Sequence, residues 1–397
     1  MEQKLTAEQA ASRLGIKRAT LYAYVSRGLI DRTVATDGRT SLFDPDDVNR
    51  LRRGGKPDND GELQTLIATS ITKIDDQILS VRGQDLIGLV LGGLSFTQAV
   101  DLLWEAPSSE VWIDEATDRA IDDAGRPAQG PLLDQLRILV ADRSARDPLR
   151  HDLSPHSVRA AGRGLILALA RGLPPRSPGP DTTVAASLWR RLVSSDSASE
   201  GADPEGPEIR ALDVAMALLV DHGLAGSTFA ARIAASVRAD PYSVVSAGLG
   251  VLGGPFHGAA SSAVHELFVE AETSGDAAVT VGTTRRRLGV FPGFGHTVYR
   301  LQDPRYGALM AMIVDAWGHD PRLVTIYRVR DLVSERSDAL PNVDLGIGAL
   351  TYLARMPPDA GEAIFAIART AGWLAHAMEE YDEKPLRFRA RAKYTGP

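Results

Sequence analysis

Three short stretches of this 397-residue chain hold side chains able to do carbon chemistry together. FPGFGHTVYRLQDPRYG, residues 291–307, sets His296, Arg300 and Arg305 behind a glycine-rich turn, where backbone can approach a ligand and imidazole and guanidinium groups can converge on an anion. GGPFHG, 253–258, puts His257 at or just before a helix start, where the positive end of the dipole disfavours imidazolium. A neutral imidazole there can donate to a carbonyl that is becoming an enolate. PNVDLG, 341–346, places Asp344 in apolar surroundings, which raise a carboxyl pKa and improve it as a base toward carbon acids.

Each residue also has a plain structural reading. His257 could cap a helix in a tight corner, and Asp344 could be the N-cap of the helix that follows. Arg369 lies in EAIFAIARTAGWLAHAMEEY, an apolar helical run in which a guanidinium needs an anionic partner, either a structural acid or a bound carboxylate. Arg305, Arg387, Arg389 and Arg391 are further candidates for bidentate carboxylate contacts. His222 ends an apolar helix, whereas His265 and His376 fall mid-helix and read as ordinary core or interface histidines. No histidine pair has metal-ligand spacing, so no metal is expected, and no phosphate-loop, dinucleotide or nucleophile-elbow motif occurs.

The elements that must position these groups are helical. Periodicity marks helices near 129–142, 155–172, 181–194, 207–222, 226–238, 241–253, 258–273, 305–317, 321–336, 343–355 and 361–381, preceded by a short β-prone stretch after residue 70. Pro, Gly and Ser-rich loops separate some of them at 171–181 and 194–208. A mainly α, enzyme-sized body follows. The chain has no cysteine, which excludes disulfides and thiolate chemistry. It shows no signal core and no apolar run long enough to span a bilayer, and we expect a cytoplasmic protein.

The first 55 residues differ. Residues 1–56 carry 11 Lys/Arg against 7 Asp/Glu, a surplus of +4 that leaves −11 for the remainder of a chain of net charge −7. Thr6 and Gln9 form a capping-box signature, Gly15 ends a first helix, and Lys17–Arg27 reads as a second with Leu21, Tyr24 and Val25 inward and Lys17, Arg18 and Thr20 outward. A hairpin about Asp37-Gly38 and a helix from Asp44-Pro45 complete a helix-turn-helix with a wing, which looks like the small domains of the excisionase and MerR type. Lys17, Arg18 and Thr20 would be its DNA contacts, though such units also serve as packing or dimerisation modules. Residues 56–61 read as a linker.

In order and rough spacing, DHGLAGSTFAAR, GGPFHGAA, GFGHTVYRLQDPR, PNVDLG, FAIARTAGWLAHAMEE and the terminal RARAKYTGP resemble the citrate synthase family over residues 62–397. That resemblance implies a two-domain, nearly all-α homodimer, its large domain 62–257 and 351–397 and its small domain 258–350, condensing acetyl-CoA with oxaloacetate without a cofactor. It implies Asp344 as base, His257 as enol stabiliser and His296 as polariser of the ketone. His222, Arg305 and Arg369 would hold the dicarboxylate, joined by Arg389 from the partner subunit, with Arg300 near the CoA phosphates. The family's usual pattern is broken at Gly223, Ala225, Phe256, Ala259, Thr297 and Ala390. Two alternatives stand beside this reading: a 2-methylcitrate synthase using propionyl-CoA, and a DNA-binding regulator whose synthase-like body senses oxaloacetate or acyl-CoA.

Overall fold

The computed structural model describes residues 4–26, 30–35, 40–45, 47–48, 66–75, 77–107, 110, 112, 130–178, 181–195, 206–254, 257–296, 298–299 and 301–389. The chain divides into two compact units, Met1–Ala68 and Thr69–Pro397. In the first, α1 (Ala7–Leu14) opens on the Thr6–Gln9 capping box and stops at Gly15, in the left-handed region at φ 68°. α2 (Arg18–Ser26) follows. Strands β1 (Leu5–Thr6), β2 (Thr33–Val34) and β3 (Ser41–Phe43) form a small antiparallel sheet in the order β1-β3-β2. Ala7, Ala10, Ala11, Leu21, Ile30, Phe43 and Val48 close a core of their own. The Asp37-Gly38 turn, most of the expected third helix and the 56–61 linker lie outside the described residues.

The second unit begins with a β-meander, β4 (Thr72–Asp75), β5 (Ile78–Val81) and β6 (Gln84–Asp85), in which Thr72 pairs with Val81 and Asp75 with Ile78. The rest of its described regular structure is helix: α3 (Leu86–Leu91), α4 (Phe96–Trp104), α5 (Leu132–Arg146), α6 (Pro155–Gly172), α7 (Val184–Leu192), α8 (Pro207–Leu219), α9 (Gly226–Ser236), α10 (Pro241–Leu252), α11 (Ala260–Ser274), α12 (Ala277–Leu288), α13 (Pro304–Trp317), α14 (Leu323–Ser334), α15 (Val343–Leu353) and α16 (Ala360–Tyr381). Helix α12 departs from the expectation. Its buried face is Thr280, Val281 and Thr284, too polar to register as a hydrophobic stripe, although Asp276 caps it and Gly289 ends it.

Helix α16 is the central strut, buried along nearly its whole length around Trp373. Its Gly372 lets the backbone come against the end of α8, because a Cβ there would collide with the Val220 carbonyl and the Asp221 carboxylate. The strut is thereby pressed onto the turn that bears His222.

Candidate active site

Two loops are laced together to bring the reactive groups into one place. Gly293 and Gly295 lie at φ 80° and 85°, and a Cβ on Gly293 would come within 3.0 Å of Leu345. Gly295 N–H donates to Leu340 O (2.8 Å), Asn342 N–H to Gly293 O (3.0 Å), and the Asn342 side-chain amide to Gly295 O (2.8 Å). Asn342 is also the N-cap of α15, its Oδ1 accepting from Asp344 N–H at 3.0 Å. The capping role open to Asp344 in the sequence therefore belongs to Asn342, and the Asp344 carboxylate, in the first turn, lines a cavity instead.

Asp303 joins the same assembly. It caps α13 and accepts from Arg305 N–H and Nε (3.0 Å each) and Nη2 (2.8 Å), while its Oδ2 takes Val343 N–H at the start of α15 (3.0 Å). Arg305, buried with it, is held as a fixed fork beside the helix that carries Asp344.

The cavity, about 430 Å³, is lined by His222, His257, His296, Arg305, Asp344 and Arg369, with Ile74, Leu224, Ala225, Val298, Val343 and Phe365 among its walls. Val298 and Tyr299 N–H both donate to His296 Nδ1 (2.9 and 3.2 Å), so the imidazole proton sits on Nε2, which is left as a donor. His222 Nε2 pairs with Tyr299 Oη at 3.0 Å, and its ring lies 5.2 Å from that of His296. One nitrogen of His257 pairs with the buried Ser227 hydroxyl (Nε2 to Oγ, 2.9 Å), and its ring meets Phe365 edge-on at 5.9 Å. The Arg369 guanidinium lies 4.7 Å from the Phe365 ring centre, with Nε donating to Leu219 O at 2.8 Å.

The electrostatics divide these groups. Burial pushes all three histidines below their usual range, aided at His222 and His296 by Arg305 and at His257 by Arg369. They are neutral donors and acceptors at neutral pH. Burial raises Asp344 to about 6 against the pull of Arg305, and lowers Arg369 to about 10 against the attraction of Asp221. A weak base, neutral imidazoles and two buried guanidiniums are what a dicarboxylate keto acid and an enolisable donor require.

Six of the eight small-molecule residues singled out in the sequence thus meet at one cavity. Arg300 lies outside the described residues, as do Thr297, Phe256 and Arg391. Arg389 is exposed and does not line this cavity, and Arg387 is engaged with Glu380 rather than facing a ligand. Ser227, Tyr299 and Asp303 escaped the sequence reading. The Asp-Pro pair before Arg305 is an N-cap signal for Asp303, whereas nothing local marks Ser227 or Tyr299. In the first unit, Lys17 and Arg18 are exposed at the start of α2 and Thr20 is half-buried.

Residues 63–391 match the family model for citrate synthase, C-terminal domain, and residues 5–53 that for MerR HTH family regulatory protein. Citrate synthase 2 of Bacillus subtilis is 28% identical over 364 residues, 84% of this chain and 95% of that relative. For 2-methylcitrate synthase 2 of Corynebacterium glutamicum the values are 27% over 356 residues, 83% and 92%. The Thermoplasma acidophilum citrate synthase, solved with carboxymethyl coenzyme A and oxaloacetate, is similar at TM-score 0.66 and 22% identity over 85% of this chain and 95% of that one. The Thermotoga maritima citrate synthase gives 0.63 and 24% over 84% and 94%.

Proposed function

Because this chain belongs to the citrate synthase family, a group of carbon–carbon bond-forming acyltransferases, we propose that it condenses acetyl-CoA with oxaloacetate and releases citrate and CoA. The observation that carries this reading is the convergence of Asp344, His257, His296, Arg305 and Arg369 on one cavity. Asp344 takes a proton from the methyl carbon of acetyl-CoA. The nitrogen of His257 that does not meet Ser227 holds the thioester oxygen as the enolate forms. The carbon nucleophile adds to the ketone of oxaloacetate, whose oxygen is polarised by His296 Nε2–H. Arg305, Arg369 and His222 hold the two carboxylates, and water then cleaves the thioester to free CoA.

Several further features complete the reading. The cavity closes between a large domain, 62–257 with 351–397, and a small one, 258–350. Arg300 meets the CoA phosphates. The protein works as a homodimer, in which Arg389 reaches the partner subunit's keto acid. Support for the dimer comes from exposed Ile233 on α9, Val237 just after it, Val251 on α10 and the nearby Leu386, an apolar set suited to a second copy. Similarity to a relative named 2-methylcitrate synthase supports propionyl-CoA as a second candidate donor for this chain. Release of free CoA thiol with oxaloacetate and either acyl-CoA, for wild type and Asp344→Ala, tests the assignment. Wild-type turnover abolished by the substitution supports it, and equal inertness of both proteins with both donors overturns it.

Residues 1–55 form a DNA-binding helix-turn-helix in this reading, supported by the match over residues 5–53 and by exposed Lys17 and Arg18 at the start of α2. The linker is 56–61. Among the described residues no helix is long and apolar enough to cross a membrane.

A further inference from the structure

Behind the turn that bears His222 runs a row of buried charges that the reaction does not use. Asp221 Oδ2 accepts from Gly223 N–H at 2.9 Å and so shapes the turn, while Oδ1 lies 3.4 Å from His376 Nε2. His376 Nδ1 is 2.9 Å from Arg232 Nη1. A guanidinium only donates, so Nδ1 accepts and the ring proton is on Nε2, the nitrogen nearer Asp221, which it meets as a close polar contact outside hydrogen-bonding geometry. Arg232 continues the row through Nε to Glu380 (3.0 Å) and Nη1 to Glu379 (2.6 Å). Glu380 in turn receives Arg387 Nε and Nη2 at 2.7 and 2.6 Å. Beside Arg387, Leu386 N–H donates to Ser236 O (2.9 Å) and Phe388 meets Phe229 edge-on at 5.4 Å. Asp221, Arg232, His376 and Glu380 are each 0% exposed.

Such a row is a poor device for stability alone, since desolvating each ion costs several kcal/mol and apolar replacements are often as stable. What distinguishes this one is where it ends. One end is the turn of His222, next to Arg369; the other is the segment that carries Arg389.

We propose that His376, backed by Arg232, is a positioning residue that fixes Asp221 and through it the His222 turn, and that the same row ties segment 386–389 to that turn. Keto acid binding and seating of the C-terminal segment are then coupled. This rests on the reading that His222 and Arg389 hold the keto acid.

The test uses the full chain and compares His376→Leu, His376→Gln, Arg387→Met and the Leu/Met double variant. Loss of the relay in His376→Leu raises the oxaloacetate KM about tenfold with kcat within about threefold, the signature of lost ground-state positioning. Glutamine can donate to Asp221 and accept from Arg232, and returns KM to within about threefold of wild type. Arg387 is partly exposed, so Arg387→Met keeps the fold and raises KM roughly fivefold, and the double variant is no worse than His376→Leu, because coupled sites are not additive. Glutamine and leucine variants that behave alike, a fall in kcat at unchanged KM, or multiplying effects in the double variant overturn the proposal. Should His376→Leu fail to fold, a wild-type KM in Arg387→Met overturns it. A wild type inert with every acyl-CoA defeats the reaction assignment instead, and the relay is then read from the thermal stabilisation that oxaloacetate confers, which Arg387→Met diminishes if the row is coupled and leaves intact if it is not.

Discussion

Replacing Asp344 by asparagine should destroy activity and strengthen the fold at once. The carboxyl has a folded-state pKa of about 6 against an ordinary 3.8, because burial penalises its ionised form more than Arg305 and Arg369 favour it. Between about pH 4 and 6 the native chain therefore binds more protons than the unfolded one, and stability falls as pH rises through that window. A difference of roughly two pKa units corresponds to about 3 kcal/mol at neutral pH, which the uncharged amide does not incur. At an unfolding entropy of roughly 2 cal/mol/K per residue over the second unit, that becomes about 4 °C in Tm. The assay is thermal unfolding of wild type and Asp344→Asn at pH 7.5 and at pH 5, paired with CoA-thiol release. We expect the variant to be more stable at pH 7.5, the gap to narrow at pH 5, and turnover to fall by about 10³ or more with the base removed. Wild-type kcat/KM should rise with pH through an apparent pKa near 6 as Asp344 ionises. A variant no more stable than wild type at pH 7.5, or a gap that does not change with pH, refutes the reasoning.

Asp303→Ala removes the partner of a buried arginine together with the cap of α13, and should cost about 3–5 kcal/mol in urea unfolding while raising the keto acid KM. A loss under about 1 kcal/mol with unchanged KM would show that Arg305 is held some other way. In the first unit, Lys17→Ala with Arg18→Ala should weaken DNA binding about equally across sequences and flatten its salt dependence by up to about two phosphate contacts. Unchanged binding and salt slope in titrations with DNA fragments would remove that helix start from the interface.

Much of the fold and of the cavity is legible in the sequence because the groups that line the cavity sit in short segments with strong local signals. Gly293 and Gly295 announce a turn that only glycine makes comfortably, and apolar positions recurring at helical spacing over 155–172 and 361–381 mark helices that the structure places at Pro155–Gly172 and Ala360–Tyr381. What escaped were partnerships formed across long separations. Ser227 meets His257 from 30 positions away, and His376, read as an ordinary core histidine, is a link between Arg232 and Asp221. Spacing along a chain carries no record of such contacts, since helix packing creates them. Local ambiguity has the same root: whether Asp344 caps the helix turns on Asn342, two positions earlier, accepting its N–H. At His257, which stands just before α11 as expected, burial leads in keeping the imidazole neutral and the charge of Arg369 comes next, neither of which the local sequence displays.

Residues 293–295 are stitched to 340–342 by two main-chain hydrogen bonds and the Asn342 side-chain amide. Asp344 and His296, the proposed base and ketone-polarising donor, ride on segments fastened to each other by hydrogen bonds, whereas His222 stands on the turn after α8 and Arg369 on α16. Any breathing of the walls changes the entrance and the grip on carboxylates, yet Asp344 and His296 travel as one rigid pair. If these two are the reacting couple, as proposed, folding itself assembles it and the substrate has only to arrive.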